Sequence, residues 1–247
     1  MMDFIKCPNL PEKTVKTLIC GSTDERIISF FESRGISVII SEKNPDIAKP
    51  VSVHADMSCL HLGDNIIIVD KRQKELKNSL EKMGMKVYET DEIIRGEYPD
   101  DIRLNVALLG DFAIGSFRNT DKTLLQLLND RKLIDVNQGY SKCSALIVNS
   151  RAVITDDESV FKAVSVRDID CLLISKGDIM LEGYNYGFIG GASGKISADT
   201  VVFFGSIEKH RDFDAIKQFL KKHNCRYVCT DDGMLRDIGG IVTLTEE

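Results

Sequence analysis

Apolar residues in this chain follow two rhythms that alternate in a fixed order. Residues 23–34 have helical spacing: Thr23-Asp24-Glu25-Arg26 opens the run Ile27-Ile28-Ser29-Phe30-Phe31, and Gly35 closes it before the strand-like stretch 36–40. A Thr or Asp ahead of an apolar run caps a helix N-terminus, and a Gly after it suits the left-handed turn at the C-terminus. The same grammar recurs at 71–83 with Gly84 and the strand 86–89, at 119–128 with 133–136, at 155–164 with 171–174, and at 212–223 with 227–230. Pairs of short strands lie between the helices, around turn residues: 59–69 about Gly63-Asp64-Asn65, 106–114 about Gly110-Asp111, 145–154 about Asn149-Ser150-Arg151, and 192–204 about Ser197-Ala198-Asp199.

These make four complete strand-turn-strand-helix-strand units, with one strand left over near each end, 15–20 and 240–244. Joined, the leftovers complete a fifth unit, and their pairing removes exposed sheet edges. The expected fold is an α/β propeller of five ββαβ units, closed by pairing of the N- and C-terminal strands, in one domain spanning 1–247. An open α/β sheet of loosely similar βαβ units is the alternative, because the units are unevenly spaced and short apolar runs read ambiguously.

Composition narrows the function classes. With 43% hydrophobic and 28% charged residues, 247 residues bury a substantial core. A net charge of -6 and a pI near 5.4 argue against a nucleic-acid partner. The basic cluster Lys217, Lys221 and Lys222 reads as a solvated helix face beside Asp212 and Asp214. No apolar run reaches the roughly 18 residues of a membrane span, so no membrane partner is expected either. The 7 cysteines are odd in number and scattered through apolar segments, which fits a reducing cytoplasm. Cys225 and Cys229 straddle a strand, and no His, Asp or Glu cluster has metal spacing, so neither metal nor cofactor is expected. The pattern sets no oligomeric state.

Two segments carry a family likeness: Gly139-Tyr140-Ser141-Lys142-Cys143-Ser144-Ala145 and Asp232-Gly233-Met234-Leu235-Arg236-Asp237. With the five-unit arrangement, they resemble the pentein superfamily, the α/β propeller of arginine deiminases, dimethylarginine hydrolases and amidinotransferases. The ribosome anti-association factors, which are not enzymes, look similar. In the enzymes a Cys of the last unit attacks the guanidinium carbon, a His serves as acid and base, and carboxylates hold the cation. Here Asp237 stands where that Cys is expected, and Ser141 where the His is expected. The resemblance therefore implies a fold and an axial pocket, and transfers no catalytic residue.

If each unit's first strand begins at the axis, Asp56, Asn105, Lys142-Cys143, Gly190-Gly191 and Arg236-Asp237 converge from five parts of the chain. His54-Ala55-Asp56 alternates like a strand, which would place His54 and Asp56 on one side as an imidazole–carboxylate pair; a loop His beside a capping Asp is the plainer reading. Cys143, flanked by Lys142 and Ser144, is the candidate nucleophile if a neighbouring cation lowers its pKa, and otherwise a small buried residue. The stretch 182–194 holds five glycines with Tyr184, Tyr186, Phe188 and Glu182, suiting either tight turns or close backbone approach to a ligand. Asp231-Asp232 reads as a turn cap ahead of Gly233. Two functions follow: a hydrolase or transferase acting on a small, cationic amidino or guanidino compound, or a non-catalytic propeller binding a small molecule or a protein. In the first, Cys143, His54 and Asp56 are catalytic, and Asn105, Lys142, Glu182, Gly190 and Asp237 bind substrate.

Overall fold

A computed structural model describes residues 3–22 and 24–247, so Thr23 of the first capping signal lies outside the described residues. In chain order, the first elements are β1 (Asp3–Phe4), β2 (Val15–Cys20), α1 (Glu25–Glu32) and β3 (Ser37–Ile40), followed by a short helix α2 (Ala55–Ser58). Four similar units come next. They are β4 (Cys59–Gly63), β5 (Ile66–Val69), α3 (Lys74–Lys82) and β6 (Lys86–Glu89); then β7 (Ala107–Leu109), β8 (Phe112–Gly115), α4 (Lys122–Leu127) and β9 (Lys132–Asp135). The third is β10 (Ala145–Asn149), β11 (Ala152–Thr155), α5 (Glu158–Ser165) and β12 (Asp170–Leu173), after which β13 (Ile179–Met180) intervenes. The last comprises β14 (Ser193–Ser197), β15 (Thr200–Phe203), α6 (Phe213–Lys222) and β16 (Arg226–Cys229), before β17 (Leu235–Arg236) and β18 (Ile241–Glu246).

In each of these units the first two strands form an antiparallel hairpin, and the strand after the helix pairs parallel to the second. Three hairpins share a register shift just before the turn, at His61/Gly63, Ile147/Asn149 and Lys195/Ser197. The remaining sheet is assembled from both ends of the chain: β18 pairs antiparallel with β2, which pairs parallel with β3, and β1 covers the outer side of β18. A two-stranded parallel pair, β13 with β17, has no counterpart in the sequence pattern, because two-residue strands carry no periodicity.

The helices begin where the capping residues place them. Asp24 accepts from the Arg26 amide, Asp121 from Thr123 and Leu124, and Asp157 from Ser159 and Val160. Asp212 instead turns its carboxylate to the Ser175 amide at 2.5 Å, anchoring the loop ahead of β13.

The middle strand of each sheet is apolar on both faces, and each face enters a different cluster. Ile67 and Val69 pack with Ile19 and Val242, whereas Ile68 packs with Leu108 and Ala113. Ile114 joins Ile147 and Val153; Ile154 joins Val201 and Phe203; Val202 and Phe204 join Leu18 and Cys20. This two-sided burial explains why these strands read as continuous apolar runs rather than alternating ones. Among the described residues, no helix is long and apolar enough to cross a membrane.

Candidate active site

The inner ends of the hairpins carry the candidate residues. Cys143, only 3% exposed, precedes β10, and its thiol donates to Asp56 Oδ2 at 2.8 Å. Asn105, ahead of β7, clamps the same segment. Its Oδ1 accepts from the Lys142 amide at 2.8 Å and the Cys143 amide at 3.3 Å, and its Nδ2 lies 3.2 Å from Cys143 Sγ. Asp237 follows β17; it accepts from the Phe188 amide at 2.9 Å and the Gly239 amide at 3.0 Å, and its Oδ1 is 3.9 Å from His54 Nδ1.

The reading of His54-Ala55-Asp56 as a strand is corrected: His54 is the N-cap of α2. Three alternating residues do not separate a strand from a helical turn, and a helical step of about 100° per residue sends positions two apart to opposite sides. The two therefore have different partners, His54 facing Asp237 and Asp56 facing Cys143. Both remain incompletely satisfied, since His54 Nδ1 and Asp56 Oδ1 are buried and lack a hydrogen-bond partner.

Burial drives the electrostatics. The Asp56 carboxyl is pushed up to about 6, first by loss of solvent and then by Asp237, against the opposing pull of His54, Lys142 and the thiol. The Cys143 thiol is raised well above the ordinary cysteine range by burial, with Asp56 and Asp237 adding to the effect. Lys142 does not lower the thiol in the free protein, where desolvation and two nearby carboxylates dominate.

A cavity of about 200 Å³ reaches His54, Cys143 and Asp237, and is otherwise lined largely by Tyr140, Tyr184, Tyr186, Phe188 and aliphatic side chains. It adjoins a wider cleft of about 970 Å³ through His54, Leu181, Tyr184, Asn185 and Asp237. Glu182 is exposed and lines only this outer cleft, beside Lys49 and Arg236, so it does not belong to an acidic inner wall. Asp56 and Asn105 stand behind Cys143 rather than on the cavity surface. Lys142 and Gly190 lie on the far side, bordering a space of only about 10 Å³. The role of Gly190 is structural, because a Cβ there would sit 2.4 Å from the Lys142 carbonyl oxygen; at Gly191 it would strike Asp237 Oδ1 at 2.0 Å. Among the described residues, no group of three His, Cys, Asp or Glu could hold a metal.

Two features escaped the sequence reading. Asp156, visible only as part of a capping stretch, is 3% exposed, accepts from the Ile189 amide at 2.9 Å and is pushed up to about 7 by burial. Tyr140 donates to Asp101 Oδ2 at 2.7 Å and stands 6.1 Å from Phe188, forming an aromatic wall whose only sequence signal was the aromatic content of 182–194. Asp231 caps its turn as expected, accepting from Gly233 at 2.8 Å, and also pairs with Arg236 at 2.6 Å.

Residues 18–242 match the model of a family described as "Family of unknown function (DUF6873)". The chain belongs to that family. No curated protein matches this DUF6873 member. Among solved structures it is similar to SxtG, an amidinotransferase of the saxitoxin biosynthetic pathway from Microseira wollei, at TM-score 0.62 and 8% identity over 97% of both chains. Inosamine-phosphate amidinotransferase StrB1 of Streptomyces griseus gives TM-score 0.61 and 12% identity over 98% of this chain and 97% of that one. DDAH of Pseudomonas aeruginosa, complexed with citrulline, gives 0.56 and 12% over 89% and 93%. The DUF6873 fold is thus that of the pentein superfamily, and identities this low speak to fold alone.

Proposed function

We propose that this chain is a single-domain, closed five-unit propeller of the cytoplasm that takes a small amidino or guanidino cation into the 200 Å³ chamber, where Cys143 adds to its central carbon. Ring closure is supported by the pairing of β2 with β18 and by the five clusters that each join two neighbouring sheets. The observation that carries the chemistry is the 2.8 Å contact between the Cys143 thiol and a buried carboxylate, at the end of a chamber that also holds His54 and Asp237. Asp237 would hold the cation. A positive charge beside Sγ stabilises the thiolate, offsetting the burial that holds the free thiol protonated. The thiol proton passes to Asp56 as the S–C bond forms, and the C=N electron pair moves to nitrogen. Collapse of the tetrahedral adduct expels an amine that takes a proton from His54, leaving an amidino group on sulfur for transfer to water or to an acceptor amine.

The raised thiol also favours a second reading, a pocket that binds such a cation without turnover. The test is release of ammonia or amine from a panel of amidino and guanidino compounds, with Cys143→Ser and Asp237→Asn as controls. Turnover abolished by both substitutions supports the enzyme; binding that survives Cys143→Ser without turnover by the native protein selects the second reading; neither binding nor turnover overturns both.

A further inference from the structure

The chemistry above leaves the aromatic wall of the chamber unused. Tyr140, Tyr186 and Phe188 line it together with the polar groups of His54, Cys143 and Asp237. Tyr140 and Phe188 lie 6.1 Å apart, tilted by 33°, and Tyr186 meets Phe188 edge to face at 5.8 Å. Two of the three residues are tethered. Asp101, 2% exposed, fixes the Tyr140 hydroxyl at 2.7 Å, and the Phe188 amide donates to Asp237 at 2.9 Å. Aromatic faces and the carboxylate that would hold the cation are therefore tied together through one backbone hydrogen bond.

An ordinary core would pack such rings against aliphatic neighbours. Here they border a void of about 200 Å³, larger than the roughly 150 Å³ that suffices for a benzene ring in an apolar cavity. Aromatic faces attract a desolvated cation and stack with a flat substituent in offset or edge-on geometry. Resting on the amidine reading above, we propose that the chamber selects an amidinium or guanidinium carrying an aryl or similarly flat apolar group next to its charged carbon, in preference to a bare or small-alkyl cation.

Calorimetric titration of Cys143→Ser, which removes the reacting thiol, with acetamidine, benzamidine and neutral benzamide tests this. Benzamidine should bind at least about tenfold more tightly than acetamidine, with benzamide much weaker than benzamidine. Adding Phe188→Leu, which keeps bulk and removes the ring face, should reduce the preference to within about threefold while acetamidine binding persists; Tyr140→Leu replaces it if the first variant does not melt cooperatively. Equal binding of the two amidines, or a preference untouched by loss of the ring, overturns the inference. If acetamidine alone binds and is lost in Asp237→Asn, the amidine reading stands and only the aromatic assignment falls; if no amidine binds, both fall.

Discussion

At the residue scale, one amide and one carboxyl show how burial shapes stability around the site. Asn105 satisfies two backbone amides of the Cys143 segment and lies within hydrogen-bond reach of its sulfur, all within a buried environment. Leaving two buried donors unpaired costs about 1–3 kcal/mol each, so Asn105→Ala should lose about 2–5 kcal/mol in chemical denaturation. A loss below about 1 kcal/mol would show that the clamp is dispensable. Asp156 makes the opposite prediction. Its folded-state pKa is raised from 3.8 to about 7, so the native protein binds the proton more tightly than the unfolded chain. That contribution is fully present below pH 3.8 and is lost as pH rises through 7. Asp156→Asn should therefore gain in melting temperature relative to the native protein across pH 4 to 8, with a ceiling of roughly 4 kcal/mol at the alkaline end; a pH-independent difference would contradict it. Asp156 was hidden in the sequence because nothing in Thr155-Asp156-Asp157 separates a buried carboxyl from the neighbouring helix cap. The convergence of Asp56, Asn105, Cys143 and Asp237 was legible because each follows from one alignment of the turns.

At the element scale, hairpins and helices were legible because turn residues and apolar runs recur in the same order, with capping Asp residues at α1, α4 and α5. What failed was short: α2 and the β13–β17 pair span too few residues for a period to appear, and the facing of His54 went wrong with α2. The glycine stretch resolves into contact requirements. Gly191 donates to the Cys143 carbonyl at 2.9 Å and leaves no room for a Cβ beside Asp237. Gly191→Ala should displace that carboxylate and weaken amidine binding at least about tenfold; unchanged affinity, read by titration, would show that Asp237 does not hold the cation.

At the scale of the whole molecule, the fold depends on joining sequence-distant ends. All six residues of β18 are buried, and the Glu246 carboxylate accepts from the Glu12 and Lys13 amides at 2.6 and 2.9 Å. Removing 241–247 should abolish cooperative unfolding rather than merely lower the melting temperature, because it strips β2 of its antiparallel partner and opens two core clusters. A truncated chain that still melts in one sharp transition would refute the closed arrangement. The pairing of β2 with β18 was anticipated from the strands left over at the two ends. A pocket was expected only through the family resemblance, and its aromatic lining was not, since its walls come from loops whose side chains meet only in three dimensions.

If a cation held by Asp237 activates Cys143, the rate of alkylation at that sulfur, located by peptide mass spectrometry among the 7 cysteines, reports it directly. Two reagents of equal size, chloroacetamidine and neutral chloroacetamide, are compared with each other and normalised to their rates with a free thiol at pH 7.5. The cationic reagent should modify Cys143 at least about a hundredfold faster than the neutral one, and Asp237→Asn should remove most of that advantage. Equal normalised rates, or a Cys143 inert to both, would contradict it.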